Sequence, residues 1–200
     1  DAKRLSLATK FVSGAYLNIR KVLSYYSHRG INLEKQIQSI DLLSQLISSQ
    51  QDINQLMAIE GNIREHYYSC FDVITQDEDF VFESRTKRPP GNRINALISF
   101  GNSMLYTIVL SEIYKTHLDP RIGYLHTSNY RRFTLNLDVA EIFKPIIVDR
   151  IIFSLLNKQM IQKNDFEEHL NGLYLKDSGR KLFIEKLEER LKTTIVHNKI

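Results

Sequence analysis

Between Ala2 and Tyr26 an apolar or small residue returns every three or four positions, through Leu5, Ala8, Phe11, Val12, Ala15, Ile19, Val22 and Leu23, and no proline interrupts the run. At about 100° per residue that spacing gathers one apolar face on an amphipathic helix. The rest of the chain permits the same reading, because its 200 residues hold only four prolines and eight glycines. Gly30 is the expected stop of this first helix.

Five more helical segments follow from the same spacing. Leu33, Ile37, Ile40, Leu43 and Leu46 mark a second helix. Leu56, Ile59, Ile63 and Tyr67 mark a third, with Asp52 placed to cap it. Gly61 lies inside that third helix, where glycine costs about 1 kcal/mol against alanine; close approach of another helix or a ligand would justify it. The stretch 93–118 is apolar on too many sides for a surface helix and is placed centrally. A further helix is expected from near Arg131 to about Asn157, bent at Pro145, and a last one from about Ser178 to Lys192. Residues 75–92 lose all periodicity, pass from acidic to basic and end in Pro89-Pro90-Gly91, a long loop of the kind that often carries function. The expectation is an all-α fold of about seven helices around one core, a single helical domain over 1–200.

A net charge of +4 fits a phosphate-bearing partner without requiring one. The lone Cys70 excludes an internal disulfide and a cysteine cage for zinc, and a reducing compartment is the simple reading. No run of about 18 purely apolar residues marks a membrane span, and no secretory signal is visible. Phosphate-loop, dinucleotide and serine-elbow motifs do not occur.

The acids within the apolar run after His126 need explaining. Asp138 and Glu141, three residues apart, fall on one helix face about 5 Å apart. A divalent cation would relieve their repulsion. His126 precedes their helix by a short turn, and Glu60 is another carboxylate beside an apolar stripe. A mixed oxygen and nitrogen set of this kind suits Mn²⁺ or Mg²⁺. The alternative is a solvated face, paired with Arg131, Arg132 or Lys144, with His126 a turn residue.

Four blocks, "AIEGNIREHYY", "RPPGNRINALISFGNSMLY", "DPRIGYLH" and "LNLDVAEIFKPIIVDR", resemble in order and interval the catalytic domain of the CRISPR-associated integrase of the adaptation module. The likeness covers nearly the whole chain. It implies metal ligation by Glu60, His126 and Glu141, the last standing where many members have aspartate, with Asp138 orienting His126. It implies a β-rich N-terminal domain upstream, absent here, which accounts for the start at Asp1. It implies joining of the 3′-hydroxyl of a short DNA to a phosphodiester of the CRISPR repeat by transesterification, together with endonuclease activity. The implied partners are DNA, both spacer precursor and repeat, a second copy forming a homodimer, and a small ferredoxin-like adaptation protein, all in a prokaryotic cytoplasm. Arg85, Lys87, Arg88, Arg93, Arg131 and Arg132 are candidate phosphate contacts, and Asn95 a supporting residue. Two readings compete: a non-catalytic helical DNA-binding or scaffolding module, and a plain repair nuclease.

Overall fold

The computed structural model describes residues 2–126, 133–169 and 172–193. Helix α1 (Ala2–Ser27) is followed by a turn in which Gly30 takes φ +91°, a left-handed conformation that favours glycine. Helices α2 (Glu34–Gln45) and α3 (Ile53–Tyr68) then form an antiparallel pair against α1. Asp52 caps α3, accepting the N–H of Gln55 at 2.9 Å. The short α4 (Phe71–Thr75) leads into the loop that ends at Asn92, and α5 (Arg93–Tyr114) crosses the middle. Helix α6 (Leu135–Phe143), a π-helical turn (Pro145–Asp149) and α7 (Arg150–Asn157) follow. Strands β1 (Phe166–His169) and β2 (Gly172–Leu175) pair antiparallel, Phe166 opposite Leu175, before the closing α8 (Asp177–Lys192).

The core runs through all the long helices. Phe153 of α7 sits edge-on to Phe71 of α4 and Tyr26 of α1, with ring centroids 4.6 and 5.3 Å away. Each such fully buried ring contributes about 2–3 kcal/mol of transfer free energy. Helix α5, at 22 residues, is long and apolar enough to cross a membrane by length and composition alone. Its apolarity is used inside the protein: Ile94, Leu97, Ile98 and Leu105 are buried, and a methyl group on Gly101 would come within 2.5 Å of Val148 and 2.7 Å of Phe183.

Three expectations need correction. The helix expected from Arg131 starts at Leu135, because Thr134 Oγ1 bonds the carbonyl of Arg121 and accepts the N–H of Gly123, both at 2.9 Å, stitching the connector to the helix start. Pro145 does more than bend it. Without an N–H it cannot continue the α pattern, and the chain widens so that Asp149 N–H reaches Lys144 O at 3.0 Å; Asn18 takes up the carbonyl of Ile142 at 2.8 Å. Gly61 has open space where a Cβ would stand, so no packed neighbour accounts for it among the described residues.

Candidate active site

Glu60 and Arg64 are one turn apart on α3 and share a face. Arg64 points across to α6, and its Nη2 donates both to Glu60 Oε1 at 3.1 Å and to Glu141 Oε2. Two carboxylates from different helices therefore meet at one nitrogen, which limits the separation of those oxygens to about 6 Å. The other oxygen of Glu141 accepts from Lys144 Nζ, whose ammonium lies 4.9 Å from the centroid of the Tyr106 ring. Burial pushes the Glu141 carboxyl up, but Arg64 and Lys144 together outweigh it and bring its pKa down to about 2.

The second pair is Asp138 and His126. Asp138 is fully buried near the start of α6, where the helix dipole favours an acid. Its Oδ2 accepts the main-chain N–H groups of Tyr124 and Leu125 at 2.5 and 3.0 Å. Its Oδ1 accepts the N–H of His126 at 3.0 Å and stands 2.7 Å from His126 Nδ1. This engages Nδ1 and leaves Nε2 as the nitrogen available to a ligand. The imidazole is only partly covered and lies close enough to Glu141 to act on its charge.

Beside these groups is a buried polar cluster. Arg64 Nη1, Tyr67 Oη and Asp149 Oδ2 are all buried and close no hydrogen bond of normal geometry among the described residues. Tyr67 and Asp149 nonetheless interact, and Arg64 acts on both. Burial pushes the Asp149 carboxyl up to about 7, with Arg64, Tyr67 and Lys144 opposing the rise.

Of the residues singled out from sequence, the structure joins Glu60 to Glu141 and Asp138 to His126. It does not close the expected triad: among the described residues no three His, Cys, Asp or Glu side chains converge to hold a metal. The physical reason is that a guanidinium stands between the acids and an ammonium beside them. The donor chemistry nevertheless suits a divalent ion, since two carboxylates already share one cation and the nearby imidazole has its other nitrogen fixed. The alternative of a solvated acidic face does not hold: Lys144 does pair with Glu141, but the pair is buried, and Asp138 is fully buried.

The basic residues divide. Arg85 is built into the loop, with Nη1 2.8 Å from Asn95 Oδ1 and Nη2 3.1 Å from Ser99 Oγ. Asn95 is fully buried and donates to Ser84 O at 2.7 Å, so its bonds organise the loop. Arg93 donates to Asp79 O at 3.1 Å. Lys87 and Arg88 line a cleft of about 860 Å³ that the β-hairpin closes through Leu173 and Tyr174. Arg131 and Arg132 lie outside the described residues. Arg64, Tyr67 and Asp149 were not singled out from sequence; the Glu60–Arg64 spacing was the available signal for the first.

Comparison with known proteins places the chain among relatives of one kind. Residues 1–189 match the family model described as CRISPR associated protein Cas1. A "CRISPR-associated endonuclease Cas1 2" of Thermodesulfovibrio yellowstonii is 59% identical over 198 residues, 99% of this chain and 60% of that protein. A solved CAS1 protein from Thermotoga maritima superposes with a TM-score of 0.87 at 45% identity, covering 96% of this chain and 60% of that one. A casposase bound to integration product shares the fold, with a TM-score of 0.87 at 22% identity over 98% of this chain and 57% of that one. This chain thus spans about 60% of the length of the curated relatives it matches.

Proposed function

The chain belongs to the Cas1 family, and from that premise we propose that it carries the catalytic site of a metal-dependent DNA endonuclease and integrase of CRISPR spacer acquisition. The observation that supports this most is the meeting of Glu60 and Glu141 at a single cationic nitrogen, beside a histidine whose far nitrogen is fixed by Asp138.

In this reading Glu60, His126 and Glu141 hold Mn²⁺ or Mg²⁺. The ion, when bound, polarises the scissile phosphate and offsets charge on its oxygens. Asp138 keeps the His126 ring in one orientation and its Nδ1 engaged. Lys144, on the second oxygen of Glu141, keeps that carboxylate ionised. The reaction joins the 3′-oxygen of a short DNA to a phosphorus of the repeat; a P–O bond of the repeat breaks, and its oxygen leaves as a hydroxyl with a proton. Hydrolysis is the same displacement with water as nucleophile. The cleft beside Lys87 and Arg88 offers a route for the DNA backbone. The partners in this reading are spacer-precursor and repeat DNA, a second copy of the protein and a small ferredoxin-like adaptation protein, in a prokaryotic cytoplasm.

Joining and cleavage of labelled DNA with Mn²⁺ test it. Glu60→Ala and His126→Ala are each expected to abolish both, and joining that persists in them removes the metal assignment. The burial of the acids in ion pairs supports one rival, a non-catalytic DNA-binding module. It predicts salt-sensitive DNA affinity with no joining under any metal.

A further inference from the structure

Arg64 Nη2 serves both acids and its Nε adds a longer bond to Glu60 Oε1 at 3.3 Å, while Nη1 is buried and closes no hydrogen bond among the described residues. Such a donor is costly to leave unmade. Two other buried atoms, Asp149 Oδ2 and Tyr67 Oη, likewise close no hydrogen bond of normal geometry among the described residues, although the two side chains interact with each other. Asp149 is 1% exposed, on the π-helical turn that Pro145 forces, and it interacts electrostatically with Arg64. A fork-shaped guanidinium thus binds two carboxylates through Nη2 and Nε, keeps Nη1 unused, and has a third buried carboxylate, beside Tyr67, within electrostatic reach.

We infer that Arg64 is a two-position counter-ion: it holds Glu60 and Glu141 together while no divalent cation is present, and it turns to Asp149 when one arrives. The inference rests on the metal reading above and adds to it a residue that positions the ligands without being one. The division of Glu141 supports it. Lys144 holds Oε1 and Arg64 holds Oε2, so withdrawal of Arg64 frees one oxygen on Glu141 and one on Glu60 while Lys144 remains in place. In the withdrawn position Arg64 Nη1 and Asp149 Oδ2, which now close no hydrogen bond of normal geometry among the described residues, satisfy each other. Without Asp149 a displaced Arg64 would leave a buried charge unpaired, which is strongly unfavourable.

The test is a double-mutant cycle read by Mn²⁺ binding alone, by calorimetry on chelator-stripped protein. Arg64→Gln removes the competing cation and is expected to tighten Mn²⁺ binding about tenfold or more. Asp149→Asn removes the receiving carboxylate and is expected to weaken it about tenfold. In the Arg64→Gln background Asp149→Asn has nothing left to receive, so its effect has to fall below about twofold, the mark of coupling between the two sites. Arg64→Lys, with a single nitrogen in place of the fork, takes the same place in the cycle if Arg64→Gln does not fold, and the effect of Asp149→Asn has to shrink there too. Mn²⁺ uptake that is unchanged or weakened by Arg64→Gln, or an Asp149→Asn effect equal in both backgrounds, overturns the inference and leaves the metal reading standing. No uptake by either the parent or Arg64→Gln overturns both.

Discussion

Asp138 Oδ1 stands 2.7 Å from His126 Nδ1, and the same carboxylate collects the main-chain N–H groups of three successive residues, Tyr124, Leu125 and His126. One buried acid therefore fixes both the backbone that carries the histidine and the face its ring presents. The two roles separate by substitution. Asp138→Asn keeps the shape and loses the charge, but its NH2 replaces one accepting oxygen and leaves at least one main-chain N–H unmet; cleavage is expected to fall about tenfold to a hundredfold with a stability loss of about 1 kcal/mol. Asp138→Ala leaves buried N–H groups unmet and is expected to cost about 3 kcal/mol. Urea unfolding beside the cleavage assay distinguishes them, and equal stability losses in the two variants would contradict the division.

Asp149 predicts a pH dependence. Its folded pKa of about 7 lies above the ordinary 3.8, and the cause is burial. An acid raised in this way favours folding fully below about pH 4, and that contribution is lost as pH rises through about 7. The full loss is on the order of 4 kcal/mol. Arg64 and Lys144 oppose the rise and Glu141 adds to it. Asp149→Asn mimics the neutral form, so in the presence of chelator its stability should gain on the parent steadily from pH 4 to pH 8. Parallel stability curves over that range would show that Asp149 does not titrate there.

Where α5 crosses the core, Gly101 leaves no room: an added Cβ would meet Val148 at 2.5 Å and Phe183 at 2.7 Å. Val148 belongs to the π-helical turn that carries Asp149, and Phe183 to α8. Gly101→Ala is therefore expected to cost about 1–3 kcal/mol by overpacking, even though alanine is the better helix former. Thermal unfolding measures it; a more stable Gly101→Ala would mean that helix propensity outweighs the contact.

The long helices were legible because burial of one face writes itself into three- and four-residue spacing; Asp52 marked the start of α3 in the same local way. The hairpin was not read, although Asn171-Gly172 is a recognised turn pair. Its strands are four residues each, and Glu167 and Glu168 spoil any alternation. At the site, spacing joined the two acids of α6, and position singled out His126 before their helix and Glu60 beside an apolar stripe; motif resemblance then assigned the four their roles. Nothing local marks Arg64 as part of the site, because its second partner lies 77 residues away. Asp149 of the π-helical turn interacts with Arg64 and Tyr67 of α3, a long-range meeting that no local pattern encodes.

The loop before α5 gives a structural prediction. Asn95 links Ser84 O, Arg85 and the N–H of Thr86, and Thr86 Oγ1 accepts the N–H of Gly91 at 2.8 Å. Asn95→Ala is expected to release residues 84–91 at a cost of about 2 kcal/mol. Hydrogen exchange should rise across that loop while α1 and α7 keep their protection. Unaltered exchange in the loop would assign the anchoring to Arg85 alone.

Arg88 and Arg85 lie three residues apart in that loop, yet their surroundings predict different phenotypes. Arg85 is spent on Asn95 and Ser99, whereas Arg88 is exposed at the rim of the cleft and makes no hydrogen bond or ion pair among the described residues. If the cleft carries the DNA backbone, Arg88→Gln removes one phosphate contact and leaves the fold untouched. The log–log salt slope of DNA binding should then drop by about one, with the melting temperature unchanged. Arg85→Gln should lower the melting temperature, and any effect on DNA should follow from the loosened loop. Binding isotherms at several salt concentrations decide the matter, because an exposed arginine with no phosphate partner leaves the slope where it was.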